Sequence, residues 1–255
     1  MASQERFGFE WATYNYMLPD YEEQFLNWVT PFTKESFKGK TVLDAGCGMG
    51  RNSYWPLLYG AASVVAFDFD DRSVAAARNT LRAFSNAEIL FGNIETFSVP
   101  QKFDIVFSIG VIHHLKHPDR ALRNLVRMLK PGGTLLIWVY GYEGNEWIVR
   151  MVNPIRKLVT SKLPLKFVHV LSYGASIPLY LFLKYGSPRS AYLRQIRKFN
   201  FKHIHSIVFD QLIPEVAYYW KKDEAVALLA SLPELKNAHI ERVNSNSWTV
   251  HGIKK

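Results

Sequence analysis

At 255 residues, 48% of them hydrophobic and 15% aromatic, the chain can bury a substantial core, and without low-complexity segments or a fixed-period repeat it is neither disordered nor a solenoid. A single cysteine excludes an internal disulfide, and the start MASQERFGFEW lacks a signal-peptide pattern, so a cytoplasmic location is expected. The net charge of +9 is concentrated between residues 146 and 205, which carry eleven Lys or Arg and one acidic residue, whereas the remainder of the chain carries −1.

From Lys40 onward, short apolar runs alternate with helix-like stretches. The runs are rich in β-branched and aromatic residues, end at Gly, Pro, Asn or Asp, and span 41–46, 63–69, 87–93, 103–110 and 134–141. Helices are predicted between them, in RNSYWPLLY, in DDRSVAAARNTLRAF and in PDRALRNLVRMLKPGG, which should stop at Pro131. Strands that alternate with helices predict a parallel, doubly wound α/β sheet with helices on both faces.

The turn after the first strand is rich in glycine. The stretch VLDAGCGMGRNS places Gly46, Gly48 and Gly50 before a predicted helix, a geometry that lets a ligand approach the backbone and the helix N-terminus. Arg51 stands where the dinucleotide fingerprint has its third glycine, so that motif is incomplete. Asp44 before the turn suits a cationic or hydroxylated ligand, and Asp68 at the end of the second strand is placed to bind a ribose diol. A tight turn that serves packing alone is the alternative.

The last two runs, 239–244 and 247–255, predict an antiparallel hairpin with a turn at Ser245 and Asn246, preceded by the helix KKDEAVALLASL. Between strand five and that helix lies an insertion of about 80 residues, 142–221, which carries nearly all of the basic excess. Its segments mix apolar residues with Lys and Arg and predict a helical cap over a substrate site. Its most apolar segment, 166–185, contains His169, Gly174 and Pro178, and we expect these to interrupt it short of a membrane span.

Four motifs together resemble the class I S-adenosylmethionine-dependent methyltransferases: VLDAGCGMG, VVAFD, FDIVFSIGVIHHL and LKPGG, in that order and spacing, over about residues 40–140. The resemblance implies a Rossmann-like seven-stranded sheet with a terminal antiparallel hairpin. It also implies S-adenosylmethionine as the cofactor. The residues that it assigns to the cofactor are Asp44, Gly46, Gly48, Gly50, Asp68, Phe69, Asn93, Ile94, Ser108, Ile109 and Val111. Asn93 stands where the family usually has Asp, so its contact with the adenine amino group would carry no charge.

The resemblance divides the chain into three parts. Residues 1–39, which contain Phe7, Phe9, Trp11, Tyr14 and Tyr16, are either an aromatic lid over the cofactor, whose sulfonium suits aromatic rings, or a helix packed on the sheet edge. Residues 40–141 and 222–255 form the cofactor-binding domain. Residues 142–221 form the cap on the acceptor side.

Methyl transfer from a sulfonium needs a general base only where the acceptor must lose a proton. The candidates are His113, Tyr14, Tyr140 and Tyr142; His113 follows strand four, with a structural hydrogen-bonding role as the alternative. We expect Cys47 to serve as a small apolar residue of the turn. No metal site is predicted, because only His203 and His205 have a ligand-like spacing, and an exposed helix or strand edge is expected for that pair.

The expected activity is methyl transfer to a small-molecule acceptor, hydrophobic or aromatic. A nucleic-acid methyltransferase would explain the basic segment, but the Asn/Asp-Pro-Pro-Tyr/Phe motif of exocyclic-amine methylation is missing, so nucleic acid is not the expected partner. A cofactor-binding protein without turnover is the other alternative. Basic, apolar helices also suit peripheral contact with an anionic membrane.

Overall fold

A computed structural model describes residues 7, 8 and 16–255. Seven strands form one sheet in the order β3-β2-β1-β4-β5-β7-β6. Their bounds are β1 Thr41–Ala45, β2 Ser63–Asp68, β3 Ala87–Phe91, β4 Phe103–Ile109, β5 Leu129–Tyr140, β6 Leu235–Val243 and β7 Ser247–Lys254. Strands β1 to β5 pair in parallel, and β7 is antiparallel to both β5 and β6. The predicted doubly wound sheet with a terminal hairpin is confirmed.

Helices cover both faces of this sheet because alternate strand residues point to opposite sides. Val42 packs with residues of one face and Leu43 with residues of the other, each fully buried. The helices that belong to the sheet are α1 Tyr21–Trp28, α2 Arg51–Leu58, α3 Asp71–Leu81, α4 Pro118–Arg127 and α9 Lys222–Ala230. Asp70 caps α3, because its side chain accepts hydrogen bonds from the Arg72 and Ser73 amides of the first turn.

Two boundaries differ from the predicted ones. Helix α4 ends at Arg127 rather than at Pro131, because Leu129 already pairs with Phe103 and the Lys-Pro-Gly-Gly stretch belongs to β5. In the hairpin, the two turn residues with positive φ are Asn244 and Ser245, one position earlier than predicted, and the Asn246 amide closes the turn on the Val243 carbonyl.

The insertion consists of a π-helical turn, Ile148–Val152, followed by α5 Asn153–Leu158, α6 Leu165–Tyr185, α7 Ala191–Ile196 and α8 Phe201–Leu212. Its two ends meet beside β5, where the Trp220 amide donates to the Tyr140 carbonyl (3.1 Å) and the Tyr142 amide to the Trp220 carbonyl (2.9 Å). The Tyr218 amide also donates to the His113 carbonyl (2.9 Å). These bonds attach the insertion to the ends of β4 and β5.

The expectation that α6 would be interrupted is wrong. The helix runs for 21 residues through His169, Gly174 and Pro178. Pro178 has no N–H group, so the Gly174 carbonyl, one turn earlier, loses its hydrogen-bond donor. Gly174 is exposed, and its carbonyl can therefore bind water. By length and composition α6 could cross a membrane, and only 17% of its most apolar window is buried.

Candidate active site

One large cavity, of about 1240 Å³, opens at the carboxyl ends of the parallel strands. In open α/β sheets this is the position at which ligands bind. Residues of the glycine-rich turn and of the ends of β2 and β4 line one side, and residues of α7 and α8 line the other. The cavity therefore lies between the sheet and the insertion.

The glycine-rich turn is held by the Gly46 and Cys47 amides, which both donate to the Phe67 carbonyl of β2 (2.9 and 3.0 Å). Gly46 has φ +82°, and a Cβ there would lie 2.5 Å from a methyl carbon of Val111. Gly48 is also left-handed and lines the cavity. The turn can therefore keep its backbone against the cavity only while these positions carry no side chain.

Gly50 lies behind this turn. It begins α2 in the left-handed conformation and packs on the next helix, where a Cβ would lie 3.2 Å from Ala77. Gly50 does not line the cavity. Of the three glycines, it serves the packing of α2 on α3.

Asp68 lines the cavity at the end of β2. Its carboxylate accepts hydrogen bonds from the Gly48 amide (2.9 Å) and the Asp70 amide (3.1 Å), which fix its orientation beside the turn. Burial raises the pKa of Asp68, while these bonds oppose the rise. Each carboxylate oxygen retains acceptor capacity for a hydroxyl in the cavity.

Asp44 lies beneath the turn and not on the cavity wall. Its Oδ2 accepts a hydrogen bond from the Ser53 hydroxyl (2.6 Å), whereas its buried Oδ1 has no partner among the described residues. Burial raises the pKa of Asp44 to about 7. A buried carboxylate oxygen without a donor indicates that a ligand or a water molecule supplies one.

The end of β3 contributes Asn93 and Ile94 to the cavity, and Phe69 follows β2 on the same side. The Asn93 Oδ1 accepts a hydrogen bond from the Glu95 amide (2.9 Å), which orients the side-chain amide. Phe69 is exposed, and its ring lies 5.3 Å from the ring of Phe91. These residues form a partly apolar wall at the edge of the sheet.

Ile109 and Val111 also line the cavity, at the end of β4. Ser108 does not: it is fully buried, and its hydroxyl donates to the Ala45 carbonyl (2.8 Å). Ser108 therefore ties β4 to β1 below the cavity floor.

The two histidines after β4 have different environments. His113 is fully buried, does not line the cavity, and has no hydrogen-bond partner for either ring nitrogen among the described residues. His114 lines the cavity, and its Nδ1 donates to the Val216 carbonyl (2.8 Å), so its Nε2 is the nitrogen with a free lone pair. Burial lowers the pKa of His113 well below its usual range and that of His114 to about 4. Both rings are therefore neutral at physiological pH.

Tyr140, at the end of β5, lines the cavity within a polar cluster of the insertion. Its hydroxyl donates to the Asp210 carboxylate (3.3 Å) and accepts from the Gln211 amide (3.2 Å), while the Tyr219 hydroxyl donates to Gln211 (3.3 Å). Burial raises the pKa of Tyr140 well above its usual range, so the phenol stays protonated. Asp210, Gln211 and Tyr219 also line the cavity and were not predicted.

The other two catalytic candidates are Tyr142 and Tyr14. Tyr142 does not line the cavity, and its ring lies 5.8 Å from the Lys221 ammonium. Tyr14 lies outside the described residues, as do Phe9 and Trp11.

The described part of the N-terminal segment reaches the cavity. Phe7 lines it, and its ring lies 4.8 Å from that of His114. Tyr21 and Trp28 of α1 also line it, and the Arg51 guanidinium lies 4.7 and 5.4 Å from their rings. In the sequence, Arg51 differs from the glycine expected in a dinucleotide motif. In the structure, it places a cation at the cavity wall.

His203 and His205 are not on an exposed edge, and that expectation is wrong. Both lie on α8 and are buried: His203 Nδ1 is 2.9 Å from the Tyr21 hydroxyl of α1, and His205 Nδ1 is 2.9 Å from the Ser176 hydroxyl of α6. Adjacent elements thus cover two different sides of α8. Among the described residues, no group of three His, Cys, Asp or Glu side chains is arranged to hold a metal ion.

Residues 43–137 match the methyltransferase domain family, and the structure has the fold of its class I members. The match covers less than half of the chain, and the sheet has the Rossmann-like fold of methyltransferases that were crystallised with S-adenosylmethionine or S-adenosylhomocysteine. The site fits S-adenosylmethionine, because Gly46 and Gly48 line the cavity without a side chain and the oriented Asp68 carboxylate beside them can accept hydrogen bonds from hydroxyls.

Three known proteins are similar to this chain. The tRNA U34 carboxymethyltransferase of Pseudoalteromonas translucida is 35% identical over 44% of this chain and 35% of its own length. The N-methyltransferase NodS of Bradyrhizobium japonicum has a TM-score of 0.56 at 13% identity, over 100% and 99% of the two chains. The magnesium protoporphyrin IX methyltransferase of Synechocystis has a TM-score of 0.54 at 13% identity, over 92% and 82%. The chain spans between 29% and half of the length of the curated relatives it matches.

Proposed function

We propose that this protein transfers a methyl group from S-adenosylmethionine to a small apolar or aromatic acceptor bound between the sheet and the insertion. The observation that carries the proposal is the single cavity shared by the glycine-rich turn and by helices α7 and α8. A cofactor at the turn and an acceptor at the helices would then face each other. The comparisons support the cofactor half of this proposal through the matched domain.

The cofactor, when bound, supplies a methyl group on a sulfonium, an activated leaving group. Asp68 would hold the ribose hydroxyls, because its carboxylate is oriented by the Gly48 and Asp70 amides and keeps acceptor capacity. Asp44, which is off the cavity wall, would reach the cofactor only through a bridging donor such as a water molecule. Phe69, Asn93 and Ile94 would surround the adenine at the edge of the sheet. Asn93, already oriented by the Glu95 amide, contributes an uncharged acceptor.

At the acceptor end, the chemistry depends on Asp210 rather than on the tyrosines. Tyr140 stays protonated and therefore acts as a hydrogen-bond donor and an aromatic wall. A carboxylate beside it can accept a proton from a hydroxylated acceptor, and Asp210 is the carboxylate that its hydroxyl contacts. His114 offers a neutral Nε2 that can accept a hydrogen bond. His113, behind the wall, supports His114 and Tyr140 through ring contacts at 4.2 and 3.9 Å.

The test combines cofactor binding with a search for product. The protein is incubated with S-adenosylmethionine and a panel of phenols, catechols and aromatic amines, and mass spectrometry follows methylated product. For an acceptor with a hydroxyl, Asp210→Asn should lower kcat at least tenfold and leave the Kd of S-adenosylhomocysteine within twofold. Asp223→Asn, on the exposed first turn of α9, is the control. Loss of cofactor affinity in Asp210→Asn with unchanged kcat would contradict the assignment.

RNA is the second candidate acceptor, because a relative of this domain is named as a tRNA U34 carboxymethyltransferase and because residues 147–209 contain eleven Lys or Arg and no Asp or Glu. An RNA-directed enzyme would bind tRNA with an affinity that falls steeply with salt. Gel-shift titration of tRNA between 50 and 200 mM salt tests this alternative. Tight, salt-dependent tRNA binding without methylation of any small acceptor would replace the proposal. Cofactor binding without turnover on either class would indicate a protein without transferase activity.

A further inference from the structure

Helix α6 buries a side that mixes small polar and apolar side chains. Val168 and Leu183 are fully buried in hydrophobic clusters. Between them lie Ser172 and Ser176, whose hydroxyls donate to carbonyls of their own helix, at His169 and Ser172 (both 2.7 Å). The Ser176 hydroxyl also lies 2.9 Å from His205 Nδ1, so this side of α6 is packed on α8.

The outward side of α6 is apolar. Six large side chains are exposed by 47–65%, and together they define the outer face of α6: Phe167, Val170, Leu171, Ile177, Leu181 and Phe182. Tyr185, at the end of the helix, is 86% exposed. An exposed apolar surface of this extent, on a helix about 31 Å long at 1.5 Å per residue, marks an interaction site.

A second exposed apolar segment precedes α6. Trp147, Met151, Ile155 and Leu158 recur at helical spacing and are exposed by 54–69%. Trp147 also lines the cavity, as does Ala175 of α6. The two apolar segments therefore both border the proposed acceptor cavity.

The charges around these segments identify the partner. Lys162 and Lys166 are exposed at the start of α6, and Lys184 and Arg189 lie at its end. Because residues 147–209 contain no Asp or Glu, a second copy of this chain docked on the same face would bring like charges together. An anionic bilayer offers both an apolar layer for the outer face and phosphates for the cations.

We propose that the insertion rests on an anionic lipid bilayer, with the outer face of α6 in the membrane interface and the surrounding Lys and Arg at the headgroups. The helix lies in the interface rather than across the bilayer, because its serine side is packed on α8 through His205. This inference does not depend on methyl transfer. It adds that Trp147, which borders the cavity, would lie at the lipid surface, where an apolar acceptor would be concentrated.

Flotation with liposomes tests the proposal on the full chain. Vesicles of phosphatidylcholine alone are compared with vesicles that contain 30% phosphatidylglycerol, at 100 and 500 mM NaCl. We expect the protein to float with the anionic vesicles only, and less at high salt. Absence of flotation with anionic vesicles would overturn the proposal.

A matched pair of variants separates membrane insertion from simple charge attraction. Leu171→Glu, on the outer face of α6, should reduce partitioning onto anionic vesicles at least tenfold, whereas Leu58→Glu, on α2 and equally exposed (53% against 50%), should change it less than twofold. Both variants should keep the Tm of the wild type, because both side chains are outside the core. Equal flotation of the two variants would mean that the apolar face is not inserted and would overturn the proposal.

The double variant Lys162→Glu/Lys166→Glu tests the headgroup contacts and should also lower binding at least tenfold. Sedimentation velocity tests the other possible partner of this face, which is a second copy of the chain. A wild-type dimer that Leu171→Glu dissociates, together with no flotation, would assign the outer face of α6 to a second copy of the chain and overturn the bilayer.

Discussion

The sheet and the insertion, which face each other across one cavity, differ in the side chains that their helices expose. Helix α4 of the sheet buries Ala121, Leu122 and Leu125 and exposes Arg120 and Arg123. Helix α6 of the insertion also buries apolar residues, together with two serines, but the side chains that it exposes include phenylalanine and leucine. The exposed side of α4 therefore suits water, whereas the exposed side of α6 is the one for which we propose an apolar partner.

The buried ionisable groups differ in the same way. Beneath the glycine-rich turn they are the carboxylates Asp44 and Asp68, both with raised pKa. In helix α8 of the insertion they are the histidines His203 and His205, whose pKa burial lowers to about 3 and about 4. Changes that disturb one region should therefore leave the other intact, and each prediction below tests this separation.

The largest effect is expected from Gly46→Ala. The new Cβ would meet Val111 at 2.5 Å while the backbone keeps a φ of +82°, so the turn must move away from the cavity. Binding of S-adenosylhomocysteine, measured by calorimetry, should weaken at least 100-fold. Gly39→Ala is the matched control, since φ is +70° but no atom lies within 4 Å of the added Cβ. It should lower stability by about 1 kcal/mol and leave the Kd unchanged; a similar loss of affinity in both variants would contradict this account.

Asp68→Ala should weaken both S-adenosylmethionine and S-adenosylhomocysteine by roughly 10- to 100-fold, because a charge-assisted hydrogen bond contributes about 1.5–3 kcal/mol. Part of the loss would come from the turn, whose Gly48 amide would lose its acceptor. Asp71→Ala, an exposed position three residues on, is the control and should bind normally. Binding of NAD instead of these ligands, or an unchanged Kd in Asp68→Ala, would show that the carboxylate does not hold the ribose.

The fold and the cofactor side of the site could be predicted, because both depend on residue patterns that are local in the sequence. Alternating apolar runs define parallel strands, and Gly46 and Asp68 follow directly from the ends of β1 and β2. The sequence could not tell which histidine of the adjacent pair lines the cavity. His113 and His114 are adjacent, and only the 3₁₀ turn after β4 decides that the second one reaches the cavity.

Residues of the insertion were harder to predict, because their positions depend on long-range packing. Asp210 lies 70 residues from Tyr140, the group it contacts. A signal was nevertheless present, since Asp210 is the first acidic residue after Glu146 in a strongly basic segment. The continuity of α6 was missed for a different reason: Gly174 and Pro178 have low helix propensity, but packing of the helix on α8 overrides it.

The pH dependence of stability should separate the two regions. The pKa of His203 is about 3 in the folded protein and about 6.5 when unfolded, so the unfolded state binds more protons between these values. The free energy of unfolding should therefore fall as the pH falls below 6.5, by about 2 kcal/mol at pH 5 from His203 alone. Asp44 acts in the opposite sense, because its raised pKa of about 7 makes stability fall as the pH rises from about 4 to 7.

Urea unfolding at pH 7.5 and pH 5.0 measures this dependence. His203→Gln should reduce the fall toward pH 5 by about 2 kcal/mol, its own share beside those of the other buried histidines, while it keeps cofactor affinity at pH 7.5. His239→Gln, exposed on β6, should retain the dependence of the wild type. A fall toward pH 5 that is the same in both variants would show that the buried histidine of α8 is not its source.

The smallest effect is expected from Asn93→Asp, which introduces the acidic residue that the resemblance to class I methyltransferases leads one to expect at the end of strand three. The aspartate would keep the hydrogen bond from the Glu95 amide and would accept more strongly from an adenine amino group. Cofactor affinity should therefore stay equal or improve by a few fold, measured by calorimetry with S-adenosylhomocysteine, while membrane binding through the insertion stays unchanged. Asn93→Leu, similar in volume but without an acceptor, should lose affinity and also loosen the turn at Glu95. If Asn93→Asp instead loses more than tenfold, the side-chain NH₂ must donate to the ligand, and the adenine would lie elsewhere along the wall formed by Phe69 and Ile94.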